Sequence, residues 1–239
     1  MSKKVIVTAD KIKNRKKALL TTKIVILCIF TLMLISFILL SIVFSVNRFT
    51  ISLDSKLHDK DGIVIYTDLT EKASQRKLYA DSIDNLDNIT YDWIKKEDLN
   101  GEIDGSHNGD NYIAYTFYIE NQGNTSVNYW YEIKIDDVIR EVDEAIRVIV
   151  NLNGEEVIYA KKNKETGLEE ANTKMFYKDD VVVSKGRERF NIGDIDKFTI
   201  IIYLEGNDPD CLNNIIGGEI KMHMDIREEH LNDKEEKEK

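Results

Sequence analysis

Residues 111–135 read NYIAYTFYIENQGNTSVNYWYEIKI and carry the strongest β-strand pattern in the chain. Apolar or aromatic side chains alternate with other residues in two runs, which is the period of strands with one buried face. The expected inward residues are Ile113, Tyr115, Phe117 and Ile119 in the first run, and Val127, Tyr129, Tyr131, Ile133 and Ile135 in the second. The turn residues Asn121-Gln122-Gly123-Asn124 lie between the runs. The sequence therefore predicts a hairpin whose apolar faces share one side of a sheet.

The residues after this stretch predict a short helix followed by more strands. Asp136 and Asp137 are suited to cap a helix, and the apolar residues that follow have helical spacing up to Ile146. Residues 148–152 and 157–160 flank Asn153-Gly154, a pair that favours the type I′ turn of a β-hairpin. A charged loop from Lys161 to Lys174 comes next. Further strands are predicted at 181–183, 198–204 and 220–226.

Shorter strands are predicted before the central stretch, at 48–53 and 63–66, and residues 68–110 are predicted to form a less regular insertion. Strands do not alternate with long helices, so a parallel sheet is not expected. The sequence predicts a mainly β domain at residues 47–226. Its expected fold is an Ig-like or jelly-roll antiparallel β-sandwich of eight or nine strands with one or two short helices. The Glu- and Lys-rich residues 227–239 are predicted to form a disordered charged tail.

The sequence predicts a single transmembrane helix at residues 24–46, which contain no charged residue, proline or glycine. Residues 1–23 contain eight basic residues and one acidic residue, a net charge of +7, and are predicted to be a basic cytoplasmic tail. Because the whole chain carries −10, residues 47–239 carry −17 and are predicted to lie outside the cell membrane. A cleavable signal peptide is the alternative, although its apolar region is usually shorter. Both interpretations place the β domain outside the cytoplasm.

No catalytic constellation is apparent, and the sequence predicts a protein that is not an enzyme. It contains neither H-E-x-x-H nor G-x-S-x-G, and its four histidines are scattered. His223 is expected to be a solvent-exposed histidine on the last strand. Cys211 is the one cysteine outside the apolar run, so the domain is expected to fold without an internal disulfide and Cys211 to be a buried structural thiol. The acidic balance disfavours a nucleic-acid partner.

One loop partly matches a calcium-binding motif. Asp104, Ser106, Asn108 and Asp110 have the alternating spacing of oxygen ligands at the start of an EF-hand loop. The match fails at the twelfth position, where Tyr115 replaces the required Glu. A glycine-rich loop that enters a strand explains the same residues, so calcium is a candidate ligand and no other cofactor is expected. Residues 207–210 (Asn-Asp-Pro-Asp) are a second candidate, equally well explained as the start of a helix.

Three features of the sequence occur together: the N-terminal apolar segment, Asp104-Gly105-Ser106-His107-Asn108-Gly109 with the following 112–118, and the stretch from Leu204 through Asp208-Pro209-Asp210-Cys211 to Ile220. This combination resembles a family of uncharacterised membrane-anchored surface proteins of Gram-positive bacteria. The resemblance covers most of residues 104–226 and extends to the TasA and camelysin group, secreted β-sandwich proteins of the biofilm matrix and cell surface. Camelysin has been described as a metalloprotease, but this sequence has no zinc-ligand motif to match that role.

The predicted function is that of a non-enzymatic, single-pass cell-surface protein, with its N-terminus in the cytoplasm and its C-terminal domain extracellular. The acidic β-sandwich is expected to bind a surface or envelope protein, or to self-associate through an edge strand. Three alternatives remain open at this stage. They are a released biofilm-matrix or fibre protein, a transmembrane sensor or accessory subunit, and a camelysin-like surface metalloprotease.

Overall fold

The computed structural model describes residues 9–44, 49–83 and 85–228. The chain divides into two units, residues 1–46 and 47–239. The predicted cytoplasmic tail lies partly outside the described residues, as do the end of the predicted span and most of the C-terminal tail.

The first unit contains one long helix, α1, from Ala9 to Phe44. Within it, Arg15–Ile38 is long and apolar enough to cross a membrane, and all of its residues are exposed. The uncharged part of the helix runs from residue 24 to Phe44 and extends for about 31 Å, close to the thickness of a hydrocarbon core of about 30 Å. The helix begins before the predicted span and therefore includes much of the basic segment. A membrane anchor and a signal sequence both have these properties.

The second unit is mainly β, as the sequence predicts, and two sheets form its sandwich. Its short α-helices are α2 (Ser55–Asp59) and α3 (Lys96–Leu99), and single 3-10 turns lie at Tyr91–Trp93, Val142–Glu144 and Asn213–Ile215. The strands of the described residues are β1 (Thr50–Leu53), β2 (Ile63–Tyr66), β3 (Lys77–Tyr79), β4 (Gly105–Ser106), β5 (Tyr112–Asn121), β6 (Val127–Ile139), β7 (Ile146–Leu152), β8 (Glu155–Ala160), β9 (Lys174–Met175), β10 (Val181–Phe190), β11 (Ile195–Leu204) and β12 (Glu219–Arg227).

The strand order is β10-β6-β12-β1-β3 in the five-stranded sheet and β2-β5-β11-β7-β8-β9 in the seven-stranded sheet, where β4 also pairs with β5. Most pairs are antiparallel, as predicted, but β1 pairs with β12 in parallel and β8 with β9 in parallel. Both sheets are therefore mixed, and neither is a parallel sheet. β1 and β12 are the first and last strands of the domain, so the rest of the domain connects them and their parallel pairing needs no crossover helix.

The predicted hairpin of β5 and β6 is also wrong, because the two strands belong to different sheets. β5 pairs with β11, β2 and β4, whereas β6 pairs with β10 and β12. The connection crosses between the sheets at Asn121, whose side-chain Nδ2 donates to the carbonyl oxygens of Thr125 at 2.9 Å and Phe190 at 2.8 Å. Gly123 approaches the neighbouring loop closely, since a Cβ there would lie 1.9 Å from the Asp61 carbonyl oxygen.

The predicted inward residues of β5 and β6 nevertheless face the core, where the two strands lie opposite each other in different sheets. Phe198 of β11 stacks on Phe117 with ring centroids 5.3 Å apart, and it meets Tyr131 of the other sheet edge-on at 5.0 Å. All three rings are buried. Aromatic residues from both sheets therefore interlock in one core.

The helix predicted after Asp136 is largely replaced by strand. β6 continues to Ile139, because Val138 and Ile139 pair with Ile220 and Glu219 of β12. Arg140 and Glu141 both adopt positive φ angles, of 60° and 53°, and a single 3-10 turn follows before β7. The predicted β7–β8 hairpin is confirmed, with Asn153 at φ 55° and Gly154 at φ 91° in the left-handed region that its turn requires.

The insertion at 68–110 covers part of the outer face of the seven-stranded sheet. Ile89, Ile94 and Leu99 from the insertion form a second apolar cluster with outward-facing sheet residues, namely Tyr112, Ala114, Ile149, Ile201 and Tyr203. Both faces of the central strands are thus buried. This explains why β11 contains the unbroken apolar run Ile200-Ile201-Ile202.

Candidate functional site

The predicted calcium loop has its side-chain oxygens engaged by different parts of the domain. Asp104 Oδ1 accepts a hydrogen bond from the Tyr118 hydroxyl at 2.7 Å. Asn108 Oδ1 accepts one from the backbone N–H of Ala114 at 2.9 Å. Calcium binding by this loop stays a prediction.

The other two residues of that loop are Ser106 and Asp110. Ser106 Oγ accepts from the backbone N–H of Asp81 at 2.8 Å, and Gly105-Ser106 is the short strand β4 against β5. Asp110 is exposed. Three of the four predicted ligands therefore each have an oxygen bound to a protein donor, which fits a loop that docks on a strand.

A different group of carboxylates converges at the second candidate loop. The carboxylate oxygens of Glu170, Asp208 and Asp210 lie within 4.8 Å of one another, and we call these residues the acid cluster. Glu170 lies in the β8–β9 connection, and the two aspartates lie in the β11–β12 connection. Among the described residues, no other group of three or more His, Cys, Asp or Glu side chains converges in this way.

The local sequence of the β11–β12 connection explains how its two aspartates come together. The Asp208 Oδ1 accepts the backbone N–H of Asp210 at 2.7 Å, and the Cys211 N–H donates to the Asp208 carbonyl at 3.0 Å. Pro209 therefore lies in a tight turn, and the alternative of a helix starting there is wrong. Asp210 Oδ2 in turn accepts the backbone N–H of Lys164, which ties the β8–β9 connection to the same turn.

Asp208 is the buried centre of the acid cluster, with 6% of its surface exposed. The guanidinium of Arg147, which is also buried, lies 2.5 Å from Asp208 Oδ2 and forms an ion pair with it. This ion pair engages Asp208 Oδ2, and Asp208 Oδ1 accepts the Asp210 N–H, so both carboxylate oxygens of Asp208 have protein partners. Glu170 is partly buried, and its Oε1 has no hydrogen-bond partner among the described residues. Arg147 therefore neutralises part of the negative charge of the acid cluster.

The sequence indicated only part of the acid cluster. Residues 207–210 have a suggestive composition, but Glu170 lies in a loop that the sequence describes only as charged, and Arg147 lies within an apolar strand pattern. A buried arginine in a strand was the available signal, because such a charge requires a partner.

The nearest approach to a catalytic arrangement lies between the insertion and β5. His107 Nδ1 lies 2.9 Å from Asp98 Oδ1, and its Nε2 lies 3.0 Å from Thr116 Oγ1, so an acid, an imidazole and a hydroxyl are hydrogen-bonded in sequence. All three are buried, with Thr116 at 0% exposure. Burial and a hydrogen bond to Asp98 also raise the pKa of the adjacent Tyr112 to about 12. The network is suited to hold the insertion on the sheet.

His223 is more constrained than the predicted solvent-exposed histidine. Its ring nitrogens lie 2.8 Å from Asp136 and 3.2 Å from Asp225, and it is half-buried. The hydrogen bonds to these carboxylates raise the pKa of His223. Cys211 is half-buried, and burial raises the pKa of its thiol.

The longest strand at the edge of either sheet is β10, with ten residues against three in β3, four in β2 and two in β9. Its start is covered by the preceding turn, where the Tyr177 N–H donates to the Val182 carbonyl. Register shifts mark both ends of its pairing with β6, so the regular part is residues 183–187. Lys185 and Arg189 are exposed on this strand together with one acid, Glu188, whereas Arg187 is paired with Asp196.

No known protein family matches the chain, and no curated protein matches it. Among solved structures, it is similar to a β-glucosidase from Kluyveromyces marxianus in complex with glucose, at 11% identity and a TM-score of 0.27. That similarity covers 78% of this chain and 19% of the enzyme, so the chain spans about a fifth of the enzyme's length. A similarity of this strength supports no conclusion about fold or activity.

Proposed function

We propose that this chain is a single-pass membrane protein that displays a non-enzymatic β-sandwich outside the cytoplasm. There it binds an envelope or surface protein through the β10 edge. The resemblance to the TasA and camelysin group contributes one expectation to this proposal, which is the location of the protein at the bacterial cell surface.

The observation that carries this proposal is the helix segment Arg15–Ile38. Its 24 residues are exposed, and from residue 24 onward none of them is charged. So large an exposed apolar surface is costly in water, and a lipid bilayer removes that cost. The β domain has its own core, so the helix is not required to complete it.

The charge distribution supports an orientation with the N-terminus inside. The first 23 residues carry +7, whereas the residues after the apolar run carry −17. Basic flanks are retained in the cytoplasm, and short N-terminal tails follow this bias. The β domain is therefore on the outer side.

The β10 edge supports binding to an extended acidic segment of another protein. An edge strand offers main-chain hydrogen bonds to an added strand, and flanking side chains select the partner. Lys185 and Arg189 are exposed, as is Glu188, and Arg187 is half-buried in an ion pair with Asp196. The charges of Lys185 and Arg189 favour an acidic partner strand and disfavour a basic one.

The non-enzymatic character is supported by the burial of the Asp98, His107 and Thr116 network. A catalytic group must contact its substrate, and these side chains are buried between the insertion and β5. The hydrogen bonds among these three side chains give them a structural role, so their presence does not require a catalytic one.

The test of display uses intact cells of a Gram-positive host that express the full chain with a C-terminal tag. Added trypsin should remove the tag from intact cells, and a cytoplasmic control protein should survive. Reversing the charges of Lys11, Lys13 and Lys16 to glutamate should reduce tag removal, because the topology signal is weakened. Survival of the tag on intact cells expressing the unaltered chain would refute display outside.

The β10 edge is tested separately with a photo-crosslinking amino acid at Lys185. The matched control carries the same group at Glu165, an exposed residue of the β8–β9 connection. Crosslinks to one defined protein should form from position 185 and disappear in the variant with Lys185 and Arg189 both changed to glutamate. Equal crosslinking from both positions would refute recognition by the β10 edge.

A further inference from the structure

We infer that one end of the β domain rests on the outer surface of the lipid bilayer, where exposed aliphatic side chains contact lipid. Three connections form this end, which we call the loop end: β6–β7 (140–145), β8–β9 (161–173) and β11–β12 (205–218). They lie together because β6 ends beside the start of β12, and β7 begins beside the ends of β8 and β11. The inference rests on the proposed membrane anchor and adds the orientation in which the domain stands on the bilayer.

The three connections of the loop end are joined to one another by polar contacts. Arg140 Nη1 donates to the Ile216 carbonyl oxygen at 2.5 Å, which joins the first connection to the third. The backbone N–H of Lys164 donates to Asp210 Oδ2 at 3.1 Å, and its ammonium group binds Glu141 at 2.9 Å. The loop end is therefore one connected surface and not three independent loops.

Large aliphatic side chains are exposed on this surface. Leu168 is 68% exposed, Leu212 60% and Ile216 65%, and Ile139, the last residue of β6, is 43% exposed. A single exposed apolar side chain is ordinary on a protein surface, whereas several at one end of a domain mark an interaction site. The loop end therefore needs a partner that takes up aliphatic side chains.

The position of β1 identifies the bilayer as that partner. β1 begins at Thr50, which pairs in parallel with His223, and β12 begins four residues before His223, at Glu219. The loop end therefore lies about 13 Å before the start of β1 along the strand direction. Thr50 follows Val46, the last residue of the uncharged run, by four residues, which span at most about 14 Å when fully extended. The loop end can thus reach the surface from which the chain emerges.

The opposite end of the domain is too far from β1 to reach that surface. His223 also pairs with Lys134, and β6 begins seven residues before Lys134, at Val127. Seven strand residues extend for about 23 Å, which exceeds the reach of about 14 Å given by four extended residues. Ile192 lies at this opposite end, because it follows Phe190, the partner of Val127, and it is 59% exposed. It is a matched control for an exposed aliphatic residue of the loop end.

The charge of the loop end indicates which force holds it. Its three connections contain nine acidic and four basic residues, so attraction to anionic lipid does not explain the contact. Burial of the aliphatic side chains in the interface favours contact with any headgroup, and the anchor keeps these side chains at high local concentration beside the bilayer. The contact should therefore form on a zwitterionic bilayer and persist at high salt.

The experiment uses the full chain reconstituted into nanodiscs of zwitterionic phosphatidylcholine. A photo-crosslinking amino acid replaces Ile216 in the test variant and Ile192 in the matched control. A third variant carries it at Phe30, within the apolar helix, and reports whether the anchor itself lies in lipid. After irradiation, the intact mass of each variant shows whether lipid has been added, and circular dichroism establishes that each β domain is folded.

The expected result is lipid addition from positions 30 and 216, with at least about tenfold more from 216 than from 192, because burial of one aliphatic side chain favours contact by that factor or more. Changing Leu168 and Leu212 to serine should lower the addition from position 216 by about half or more. Equal addition from 216 and 192, or crosslinks between two chains from 216, would overturn the inference while addition from position 30 upholds the anchor. Absence of lipid addition from position 30 would instead refute the proposed anchor, and the inference with it.

Discussion

The contact between Tyr129 and Asp196 offers a sharp test of the two-sheet architecture. Tyr129 lies on β6 of the five-stranded sheet, and its hydroxyl donates to Asp196 Oδ2 on β11 of the other sheet at 2.6 Å. Asp196 is 2% exposed and also accepts from Arg187 Nε at 3.1 Å and Asn153 Nδ2 at 2.8 Å. Burial and the Asp196 charge raise the pKa of Tyr129 far above its ordinary range, so the hydroxyl remains a donor.

Removing this hydroxyl with Tyr129→Phe should lower the free energy of unfolding by about 1.5–3 kcal/mol, the range for a hydrogen bond to a charged group. The loss stays within this range because two other donors still reach Asp196. In the double-mutant cycle with Asp196→Asn, the coupling energy should be about 1–2 kcal/mol, because the two side chains contact each other directly. Urea unfolding followed by tryptophan fluorescence measures both quantities.

The matched control is Tyr91→Phe, which removes a hydroxyl that donates to the exposed carboxylate of Glu156 at 2.9 Å. This bond is accessible to water, so its loss should cost about 0.5 kcal/mol or less. Additive effects of Tyr129→Phe and Asp196→Asn, within about 0.5 kcal/mol, would refute the contact and the crossing of the chain between the sheets.

Three further outcomes follow from the described contacts. Phe198→Ala should lower the free energy of unfolding by about 3–5 kcal/mol in urea titrations, because it empties the centre of the aromatic core; a cost near 1 kcal/mol would contradict that packing. Although burial opposes it, the hydrogen bond from His223 lowers the pKa of Asp225 to about 2, from 3.8. The stability that Asp225 contributes is therefore present above pH 4 and is lost as the pH falls toward 2. The free energy of unfolding should fall by about 2 kcal/mol over this range in the unaltered chain and by much less in Asp225→Asn. Urea unfolding midpoints measured across this pH range test the difference. Gly101→Ala should cost about 2–4 kcal/mol in unfolding titrations, since its φ is +60° and a Cβ would lie 2.0 Å from a buried threonine hydroxyl. The control Gly154→Ala has a φ of +91° and open space, so its smaller cost isolates the backbone strain.

The sequence predicts which residues face the core better than it predicts which strands pair. Alternation fixes the side of a strand that is buried, and Phe117 and Tyr131 indeed both point inward. Alternation does not identify the neighbouring strand, so a turn-like segment after Asn121 fits a hairpin and a crossing between sheets equally well. The deciding contact is the Asn121 amide with the Phe190 carbonyl, 69 residues away in sequence.

The helix predicted from Val138 to Ile146 is wrong for a related reason. Its apolar residues satisfy a helical period, yet the edge of β12 was available to take the backbone hydrogen bonds of Val138 and Ile139. Tertiary pairing overrides local propensity where a partner strand is present. By contrast, Asn153-Gly154 specifies its own turn locally, and that hairpin is confirmed.

The acid cluster, too, could be predicted from the sequence only in part. The turn with Asp208 and Asp210 is local and attracts attention in the sequence. Glu170 and Arg147 reach it from two other parts of the chain, and only the folded sheets bring them together. Local patterns therefore indicate single members of the cluster, whereas the whole cluster depends on the tertiary structure.

The most direct test of the account asks whether one and the same molecule is both anchored and outside. Intact cells that express the C-terminally tagged chain are labelled with a membrane-impermeant amine reagent, and the tagged protein is purified from membranes and medium for intact-mass determination. If the protein is anchored and displayed outside, labelled protein is expected in the membrane fraction at the full 27.6 kDa plus the tag and label. Unlabelled full-length protein would contradict display outside the cytoplasm, and labelled protein found only in the medium without its N-terminal helix would contradict the anchor.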